Sequence, residues 1–455
     1  MNIDRNRKVH FIGIGGIGMS GIAEVLLTMG FRVSGSDTHE SKNVQKLRKM
    51  GAEIYIGHKE ENINSDLVVY SSAITEENPE MKKARKIGLP ILRRAEILAD
   101  LMRLKSSVAV AGAHGKTTTT SLVATIFYEN LKDPSYIIGG IVKNLDGHAY
   151  LGKGEFLIAE ADESDGSFLL LNPQIAILTN IDNDHLDFYK SKEKIHEAFF
   201  QFCNKIPFYG WICANNDDEI LSKILKDVKK PIATYGIDKA DSDYVAFDIK
   251  YGEDTQFKLR VRDHSETFDV KINMRGKHNV YNSLGAIAGA HKCGLQIEDI
   301  VKAISKFNGV GRRAQKIFEN ENVKIFDDYG HHPTEINATL TAFAESFPGK
   351  KINLIFEPHR FTRMQSCWDQ FKSCFSVANN VFLLPIYEAS ETPIPGITTD
   401  ALVEELKKLG IKASSLKYDQ LKKVVLEMLK EECILLAMGA GKISTKMAEL
   451  VDELS

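Results

Sequence analysis

A short glycine-rich segment, Ala111 to Thr120, constrains this chain more than any other part of its sequence. It reads Ala-Gly-Ala-His-Gly-Lys-Thr-Thr-Thr-Thr. The residues from Ser107 to Val110 predict a short buried strand before it, and the apolar pattern from Thr119 to Glu129 predicts a helix after it. A strand, a glycine turn, Gly-Lys-Thr and a helix form the P-loop arrangement, in which backbone N–H groups face phosphate oxygens.

The polar side chains of this segment suit a nucleotide with its metal ion. Lys116 supplies a cation to the outer phosphates, and the Thr117 hydroxyl can hold Mg²⁺. Only two residues separate the two glycines, so the loop is shorter than the usual motif, and a plain strand–helix turn with a solvated lysine is the alternative. The flanking strand and helix favour the phosphate site. We predict phosphate contacts along the whole loop, from Gly112, Ala113, His114, Gly115, Lys116, Thr117 and Thr118.

A second glycine loop lies near the N-terminus. A predicted strand from Lys8 to Ile14 leads into Gly13-x-Gly15-x-x-Gly18 and a helix from about Met19 to Met29. The next predicted strand, Phe31 to Asp37, ends in an acid about 20 residues after the glycines, which completes the dinucleotide-binding fingerprint. Glycine N–H groups bind any diphosphate, however, including that of a nucleotide sugar, and a tight turn without a ligand gives the same pattern.

Composition limits the classes of protein that remain. A chain of 455 residues with 43% hydrophobic residues allows about three domains. A net charge of −3 gives no global basic field, so we expect no nucleic-acid partner. The six cysteines are scattered without a CxxC pair, as in a reducing compartment. Glycines interrupt the first apolar run and no apolar stretch is long enough to span a bilayer, so we expect a cytoplasmic protein without a membrane anchor.

Two further strands of the central region end in acidic segments. They run from Glu155 to Glu160 and from Ile175 to Ile181. Because ligands of open α/β sheets lie at the carboxyl ends of strands, we expect Glu160 and His185 to lie beside Lys116 as part of a site for a magnesium nucleotide. For each acid alone, a solvated loop carboxylate is the alternative. Beyond these strands, residues 244–272 predict antiparallel strands, and a following helix places Asn279 and Asn282 on one face.

The last third of the chain repeats the strand–helix rhythm after a predicted hinge near Gly309. Its strands end in acids and cations, which suit carboxylate or phosphate ligands. The relevant residues are Asp327, Asp328, His331, His332, Glu357, His359, Arg360 and Arg363. The paired histidines are candidate metal ligands, but no third ligand has an obvious spacing, so that interpretation stays open.

Several motifs together resemble the Mur ligase family. They span nearly the whole chain: His10 to Gly21, Gly35 to Asp37, the P-loop, Glu160 to Asp165, Asn180 to His185, His278-Asn279, Gly311 to Arg313, Asp327 to Glu335, Pro358 to Arg360 and Pro393 to Gly396. Two departures are Ala113, where a bulkier or hydroxyl residue is usual, and Lys442, where an acid often follows the final glycines.

The resemblance implies an α/β enzyme of three domains. A Rossmann-like domain, residues 1–104, would bind a UDP-sugar; a central P-loop domain, residues 105–312, would bind ATP and Mg²⁺. A Rossmann-like domain, residues 313–455, would hold the amino acid and close over ATP. The implied reaction joins L-alanine to the carboxylate of UDP-N-acetylmuramate through an acyl phosphate, the first amino-acid addition in peptidoglycan precursor synthesis. A monomer or weak homodimer is expected.

The resemblance also implies roles for individual residues. The implied catalytic residues are Lys116, Glu160, His185, Arg313 and Asp328, and the implied metal ligands are Thr117, Glu160 and His185. Asn279, Asn282 and Arg313 would hold the nucleotide. The implied substrate-binding residues are Gly15, Gly16, Ile17, Gly18, Ser36, Asp37, Ser72, His332, Arg360 and Arg363.

Three other functions explain part of the sequence. A nicotinamide dehydrogenase would use the first glycine loop but leaves the P-loop without a purpose. A nucleotide-sensing switch would use the P-loop but not the first domain. The nearest rival is a recycling ligase that attaches a ready-made tripeptide to the same sugar nucleotide, although its opening glycine motif usually differs from Gly-Ile-Gly-Gly-Ile-Gly.

Overall fold

The computed structural model describes residues 4–71, 73–145, 147–182, 186–389 and 391–454. They divide into two units: Met1–Asp248, Phe257–Ile272 and Val280–Asn308 form the first, and Ile249–Gln256, Asn273–Asn279 and Gly309–Ser455 form the second. In this part of the chain, no helix has the length and apolar character needed to cross a membrane.

The N-terminal part of the first unit is a small parallel α/β sheet. Its elements are β1 (Lys8–Ile12), α1 (Ile17–Thr28), β2 (Arg32–Asp37), α2 (Lys42–Lys49), β3 (Glu53–Ile56), β4 (Leu67–Tyr70), α3 (Pro79–Lys86), β5 (Ile91–Arg93) and α4 (Arg94–Met102). The five strands lie in the order β3-β2-β1-β4-β5, and all of them are parallel. The strand order reverses beside β1, the place where open α/β sheets bind ligands.

The central part contributes a larger sheet. Its elements are β6 (Ser106–Ala111), α5 (Lys116–Glu129), β7 (Ser135–Val142), β8 (Gly147–Tyr150), β9 (Phe156–Glu160), β10 (Ile175–Leu178), α6 (Leu186–Tyr189), α7 (Lys192–Asn204), β11 (Trp211–Asn215), α8 (Glu219–Ile224), β12 (Ile232–Gly236), β13 (Tyr244–Lys250), β14 (Thr255–Val261), β15 (Thr267–Ile272), α9 (Lys277–Lys292) and α10 (Ile297–Ile304). The ten strands lie in the order β15-β14-β13-β12-β11-β10-β6-β9-β7-β8. The P-loop strand β6 therefore lies between β9 and β10 and parallel to both.

The first two sheets share one hydrophobic core. Helix α1 packs on β7 and β8, and buried residues of both parts, among them Ile22 and Ile137, belong to the same apolar cluster. A Cβ built on Gly21 of α1 would lie 3.1 Å from the Ala149 Cβ, so a glycine lets the helix approach β8 closely. The Ser20 hydroxyl lies 3.0 Å from Nε2 of His148 and adds a polar contact to this packing.

The second unit holds a third α/β sheet. Its elements are β16 (Gln315–Glu319), β17 (Val323–Asp328), α11 (Pro333–Ser346), β18 (Lys351–Glu357), α12 (Phe361–Ser366), α13 (Trp368–Ser373), β19 (Asn380–Leu383), α14 (Thr399–Lys408), β20 (Ala413–Ser415), α15 (Leu421–Met428), β21 (Cys433–Gly439) and α16 (Ile443–Leu454). The six strands lie in the order β16-β17-β21-β18-β19-β20, and only β16 is antiparallel to its neighbour. Every residue of β21 is buried, as expected for an apolar central strand covered on both faces.

The predicted strands and helices are found, with small differences at their ends. Helix α5 begins at Lys116, three residues before the predicted Thr119, so the P-loop lysine lies in its first turn. Residues 244–272 form three strands at the end of the ten-stranded sheet. The β7–β8 hairpin, which the sequence analysis did not predict, forms the opposite edge of that sheet.

Candidate active site

The P-loop turns sharply between β6 and α5. Gly112 and Gly115 have φ of +139° and +84°, where L side chains are strained. A Cβ built on Gly115 would lie 2.3 Å from the Asn282 Oδ1 atom of α9. Asn282 also accepts a hydrogen bond from the Thr119 hydroxyl at 3.3 Å. Position 115 therefore favours glycine, and Asn282 of α9 contacts the start of α5.

Lys116 lies among carbonyls and carboxylates. Its ammonium donates to the Gly112 carbonyl at 2.6 Å and forms an ion pair with Glu163 at 2.8 Å. Burial disfavours the charged form, but Glu163, Asp162 and Glu160 outweigh it and raise the pKa of Lys116. The lysine is therefore a fixed cation at the mouth of the loop, able to exchange a carboxylate for a phosphate oxygen.

Thr117 and Glu160 form a pair of oxygen ligands beside this cation. The Thr117 hydroxyl donates to the Glu160 carboxylate at 3.2 Å, and the backbone N–H of Gly139 donates to the other carboxylate oxygen at 2.6 Å. A hydroxyl and a carboxylate are the hard oxygen donors that Mg²⁺ prefers. The donor set of the described residues thus fits Mg²⁺.

The backbone of the P-loop is tied to the segment after β10. Asn180 accepts from the His114 N–H at 2.9 Å through Oδ1, and its amide donates to the His114 carbonyl at 3.0 Å. The Thr179 hydroxyl donates to that carbonyl at 2.7 Å, and the His114 ring lies 2.9 Å from Asp182. The end of β10 therefore shapes the loop. His185, predicted as a metal ligand after the same strand, lies outside the described residues.

Two residues predicted to bind the nucleotide, Thr118 and Asn279, have contacts within their own units. Thr118 is buried in the first turn of α5. Asn279, in the first turn of α9 and in the second unit, donates its side-chain amide at 2.8 Å to the carbonyl of Arg275, which precedes the helix. The predicted roles of both residues in nucleotide binding stay predictions.

The N-terminal glycine loop is held by the end of β2. The Gly13 and Ile14 N–H groups both donate to the Ser36 carbonyl, at 2.8 and 3.0 Å. The Gly15 N–H donates to the Asp37 carboxylate at 2.8 Å, and a Cβ on Gly15 would lie 2.9 Å from the same oxygen. Asp37, the acid of the fingerprint, thus holds the loop itself. Gly16, Ile17 and Gly18 follow at the start of α1, where backbone N–H groups can meet a diphosphate.

The Ser36 side chain does not face this loop. It is fully buried, and its hydroxyl donates to Glu80 at 2.5 Å and lies 3.0 Å from His58. Its described contacts are those of a structural network that connects β2 to α3. Ser72, another predicted substrate-binding residue, lies outside the described residues.

A cation that the sequence analysis missed lies between the two loops. Arg94, the first residue of α4, donates from Nη2 to the Asp162 carboxylate at 3.3 Å. The same side chain packs against Gly18, since a Cβ there would lie 3.2 Å from the Arg94 Cδ. A single arginine in a charged segment gives no signal in sequence, because only the fold brings α4 beside both sites.

The second unit has its own charged cluster at the carboxyl ends of β17 and β18. The Asp328 carboxylate accepts from the backbone N–H groups of Ala314 and Gly330, both at 2.7 Å. Burial raises the pKa of Asp328 to about 6, against the opposing effect of Arg313. Arg313 forms an ion pair with Glu335 at 3.5 Å. The two predicted residues, Arg313 and Asp328, therefore belong to one cluster.

His332 caps the helix that follows β17. It is 2% exposed, its Nδ1 accepts from the Thr334 N–H at 3.4 Å, and its Nε2 lies 3.5 Å from the Cys367 sulfur. Glu335 completes the cap by accepting from the His332 N–H at 3.2 Å. Helix α11 therefore begins directly after His332.

The two predicted arginines at the start of α12, Arg360 before it and Arg363 in it, differ in their surroundings. Arg363 is partly buried, and its Nη1 lies 3.3 Å from Nδ1 of His359. Burial, together with His331 and Arg363, lowers the pKa of His359 to about 3, so this imidazole is neutral. Arg360 is exposed and has φ of +68°, a strained conformation for a residue with a side chain. Arg360 is the residue immediately before the first residue of α12.

Glu357, which the sequence analysis placed at a strand end, holds the C-terminal glycine segment. It is fully buried and accepts from the backbone N–H groups of Lys442 and Ile443, both at 3.0 Å, and from the Tyr418 hydroxyl. The Lys442 side chain is exposed. Because the loop is held through its backbone, the replacement of an acid by Lys442 leaves its fold intact.

Comparisons with known proteins agree with this arrangement. Three family models match: "Mur ligase family, catalytic domain" at residues 8–106, "Mur ligase middle domain" at 110–290 and "Mur ligase, glutamate ligase domain" at 312–441. The UDP-N-acetylmuramate–L-alanine ligase of Geotalea daltonii is 45% identical over 451 residues, with 98% of each chain covered. That of Persephonella marina is 42% identical over 450 residues, covering 98% of this chain and 96% of its own.

Solved structures give the same result. The UDP-N-acetylmuramate–alanine ligase of Thermotoga maritima superimposes with a TM-score of 0.84 at 29% identity, covering 99% of both chains. The murein peptide ligase of Psychrobacter arcticus superimposes with a TM-score of 0.74 at 26% identity, again over 99% of both chains. On the matching models, the full-length relatives and the shared three-domain fold, this chain belongs to the Mur ligase family.

Proposed function

We propose that this protein joins L-alanine to the lactyl carboxylate of UDP-N-acetylmuramate at the expense of ATP, the first amino-acid addition in peptidoglycan precursor synthesis. The observation that carries the proposal is the position of two anion-binding loops in one unit. The Gly13–Gly18 loop suits a nucleotide-sugar diphosphate, the P-loop suits ATP, and the Arg94–Asp162 bond joins their surroundings. The full-length relatives named for this reaction support the choice of substrates.

The proposed reaction has two steps. ATP phosphorylates the muramoyl carboxylate, and the amine of L-alanine then attacks the acyl phosphate to give the amide and phosphate. Lys116 would bind the phosphates and offset the charge that builds up during transfer. Mg²⁺, when bound, would neutralise phosphate charge, and Thr117 and Glu160 would hold it together with His185. His114, with Gly112, Ala113, Gly115 and Thr118, would keep the loop in shape around the phosphates.

The proposed division of labour follows the predicted domain boundaries. Residues 1–104 bind the sugar nucleotide through Gly15 to Gly18 and the segments that include Ser36, Asp37 and Ser72. Residues 105–312 bind ATP, and Asn279 and Asn282 approach its nucleoside. Residues 313–455 supply Arg313 and Asp328 toward ATP, and His332, Arg360 and Arg363 toward the carboxylate and the amino acid. A monomer or weak homodimer acting in the cytoplasm completes the proposal.

An ADP-release assay with a panel of amines tests this function. We expect ADP formation only when UDP-N-acetylmuramate and L-alanine are both present, and a product whose mass equals the amide. Glycine, L-serine and the L-alanyl-D-glutamyl-meso-diaminopimelate tripeptide complete the panel. If, with UDP-N-acetylmuramate present, the tripeptide is the only amine that causes ADP release, the protein is the recycling ligase instead. No ADP release with any amine would contradict a ligase of this kind.

Calorimetry separates the ligase from the dehydrogenase. Titrated against the protein, UDP-N-acetylmuramate should bind and NADH should not. The reason is that Asp37, the acid that would hold the ribose of a dinucleotide, is already bonded to the Gly15 N–H. Tight binding of NADH without binding of the sugar nucleotide would contradict the proposal.

A further inference from the structure

The edge of the ten-stranded sheet opposite to the P-loop forms one continuous surface of the first unit. Strands β6, β7, β9, β10 and β11 are parallel, so all five begin at this edge. Hydrogen bonds join the segments before them: the Gly154 N–H donates to the Asp133 carbonyl at 2.8 Å, and the Lys105 ammonium donates to the Gly152 carbonyl at 2.7 Å. We call this surface the amino edge, and its segments are residues 102–105, 130–134, 152–155, 172–174 and 205–210.

The most exposed large apolar side chains of the described residues lie on the amino edge. Leu131 is 91% exposed, Phe208 85% and Tyr209 62%, and no other large apolar side chain in the described part of the chain exceeds 60%. Leu104, just before β6, is exposed as well. Apolar side chains scattered singly over a surface are ordinary, but a group of them on one surface indicates an interaction site.

The backbone holds Leu131 outward in a strained conformation. Leu131 follows Asn130, the C-cap of α5, and has φ of +56°, the left-handed region in which glycine is usual after a helix. The strain gains no burial, since the side chain is almost fully exposed. A strained and exposed leucine is therefore unexplained by the fold of the single chain, and it points to a contact outside the chain.

The turn before β11 presents two aromatic rings in a similar way. The Gly210 N–H donates to the Pro207 carbonyl at 3.0 Å, which closes a turn with Phe208 and Tyr209 at its two corners. Small polar residues, glycine and proline usually occupy such corners. The rings contact each other edge to face, with centroids 5.2 Å apart, and otherwise extend into solvent.

Positive charge accompanies these apolar side chains, although the whole chain has a net charge of −3. The amino edge holds five Lys or Arg residues and two acids, Asp133 and Glu155. Lys132, Lys153 and Lys205 are exposed. Because Lys132 follows Leu131 directly, cations and apolar groups are interspersed on the surface.

A cavity of about 700 Å³ opens between the segments. The side chains of Arg103, Lys105 and Lys153 line it together with a single acid, Glu155, and Tyr209 lies at its side. A polar cavity with an excess of cations suits a phosphate group.

We propose that the amino edge is a contact surface for an anionic lipid bilayer. The side chains of Leu131, Phe208 and Tyr209 enter the headgroup region, and the lysines and the cavity bind lipid phosphates. Lysine is depleted from protein–protein interfaces, whereas aromatic and lysine side chains together are typical of the membrane surface, so a bilayer fits this surface better than a protein does. The contact is made by loops, needs no spanning helix and leaves the P-loop at the opposite edge free.

Vesicle sedimentation with the full chain tests the proposal. The probes are vesicles of phosphatidylcholine and vesicles that also contain about 30% phosphatidylglycerol. We expect the wild type to bind the anionic vesicles more tightly by on the order of 10- to 100-fold, because several exposed lysines each contribute. The preference should fall as the salt concentration rises. Since no substrate is present, the result does not depend on the proposed ligase activity.

Leu131→Gly separates binding from folding. Because glycine suits φ of +56°, the thermal unfolding midpoint should stay close to that of the wild type, whereas vesicle affinity should fall about 3- to 10-fold. Leu409→Gly is the matched control: it changes another exposed leucine, at the C-cap of α14 in the second unit, and should keep wild-type vesicle affinity.

Two double variants test the aromatic turn and the charges. Phe208→Ser with Tyr209→Ser should weaken binding to the anionic vesicles by on the order of 10-fold. Lys132→Glu with Lys153→Glu should remove most of the preference for phosphatidylglycerol, whereas Lys430→Glu, an exposed lysine of the second unit, should keep it.

Several results would overturn the proposal. They are no binding of the wild type to either kind of vesicle, equal binding to both kinds, or wild-type affinity in both Leu131→Gly and the double variant of Phe208 and Tyr209. Sedimentation velocity identifies the competing occupant. If the wild type forms a dimer that this double variant does not form, and neither binds vesicles, the amino edge is an interface between two copies of the chain instead.

Discussion

The two glycine loops of the first unit are held in the same way by neighbouring strands but have different charged side chains beside them. In both, the first N–H groups are fixed by the end of a neighbouring strand: Ser36 and Asp37 hold the N-terminal loop, and Asn180 holds the P-loop. Both leave the first turn of a helix facing outward. The P-loop, however, has Lys116 in that turn, whereas the N-terminal loop lies against the Asp37 carboxylate, and the Arg94 side chain of α4 packs against its last glycine, Gly18.

Because of this difference, the two motifs predict function from sequence with different specificity. The P-loop lysine and threonine specify phosphate and metal chemistry by themselves. The N-terminal glycines specify only a tight turn and a close approach, so the ligand of that loop depends on side chains supplied by the fold. A glycine fingerprint with an acid, usually interpreted as a dinucleotide site, is equally compatible with a sugar nucleotide.

The largest expected effect is that of removing the P-loop cation. Lys116→Ala should lower turnover by about 10²–10³-fold or more, because one charge that stabilises the transferring phosphoryl group is lost. ADP release at saturating substrates measures the effect. Lys132→Ala, which changes an exposed lysine just after α5, is the control and should keep full activity. A folded Lys116→Ala protein with near-normal turnover would place the ATP site elsewhere.

The second largest effect concerns the acids beside the two loops, whose substitution should change turnover to different extents. Glu160→Gln should lower turnover by on the order of 10- to 100-fold, since it weakens a proposed metal ligand that also orders Thr117. Asp37→Asn keeps an oxygen that can accept from the Gly15 N–H, so turnover at saturation should change little. Steady-state kinetics with ATP and with the sugar nucleotide varied in turn measures both. Equal losses of turnover in the two variants would contradict the view that Glu160 acts in catalysis whereas Asp37 only holds the backbone of its loop.

Glycine substitutions compare the two turns directly. Gly115→Ala should destabilise most, because it combines φ of +84° with a Cβ 2.3 Å from Asn282. Gly15→Ala should cost less, about 1–3 kcal/mol, since its Cβ would meet Asp37 Oδ2, Ser41 and Val44 at 2.9 to 3.0 Å without unusual backbone torsion. Gly16→Ala meets its nearest atom at 3.6 Å and serves as the control.

Thermal unfolding and sugar-nucleotide titration together test this order. Gly16→Ala should keep the wild-type midpoint, so any loss of affinity it shows reports on the approach of the ligand. If Gly16→Ala unfolds at as low a temperature as Gly115→Ala, backbone torsion and crowding at the built Cβ do not explain how stability differs among the glycine variants.

Sequence alone predicted the architecture well because strand–helix alternation and strand ends follow local rules. The order of β9, β6 and β10, and hence the meeting of Glu160 with Thr117, follows from parallel pairing of apolar strands. Arg94 was missed because its contact with Asp162 is created only by the folded chain, and the contact of Glu357 with the C-terminal glycine segment was not predicted for the same reason. Ser36 shows the converse: its motif position suggested ligand binding, but its described contacts are with Glu80 and His58 in the interior.

The smallest effect concerns pH and the helix that follows the N-terminal loop. His148 of β8 is buried against Ser20 of α1, and burial, aided by the Lys46 charge, lowers its pKa to about 4 from a model-peptide value of about 6.5. Because the folded pKa is depressed, the unfolded chain binds the proton more readily. This contribution to stability is therefore complete above pH 6.5 and is lost as the pH falls toward 4.

Denaturant unfolding at pH 7.5, 6 and 5 should show this loss as a falling free energy of unfolding. His148→Gln, which cannot charge, should show a smaller fall over the same pH range. Since the packing of α1 on β8 would weaken first, acid should reduce sugar-nucleotide affinity before it reduces ATP affinity. Parallel slopes of stability against pH for the wild type and His148→Gln would mean that His148 does not titrate on unfolding.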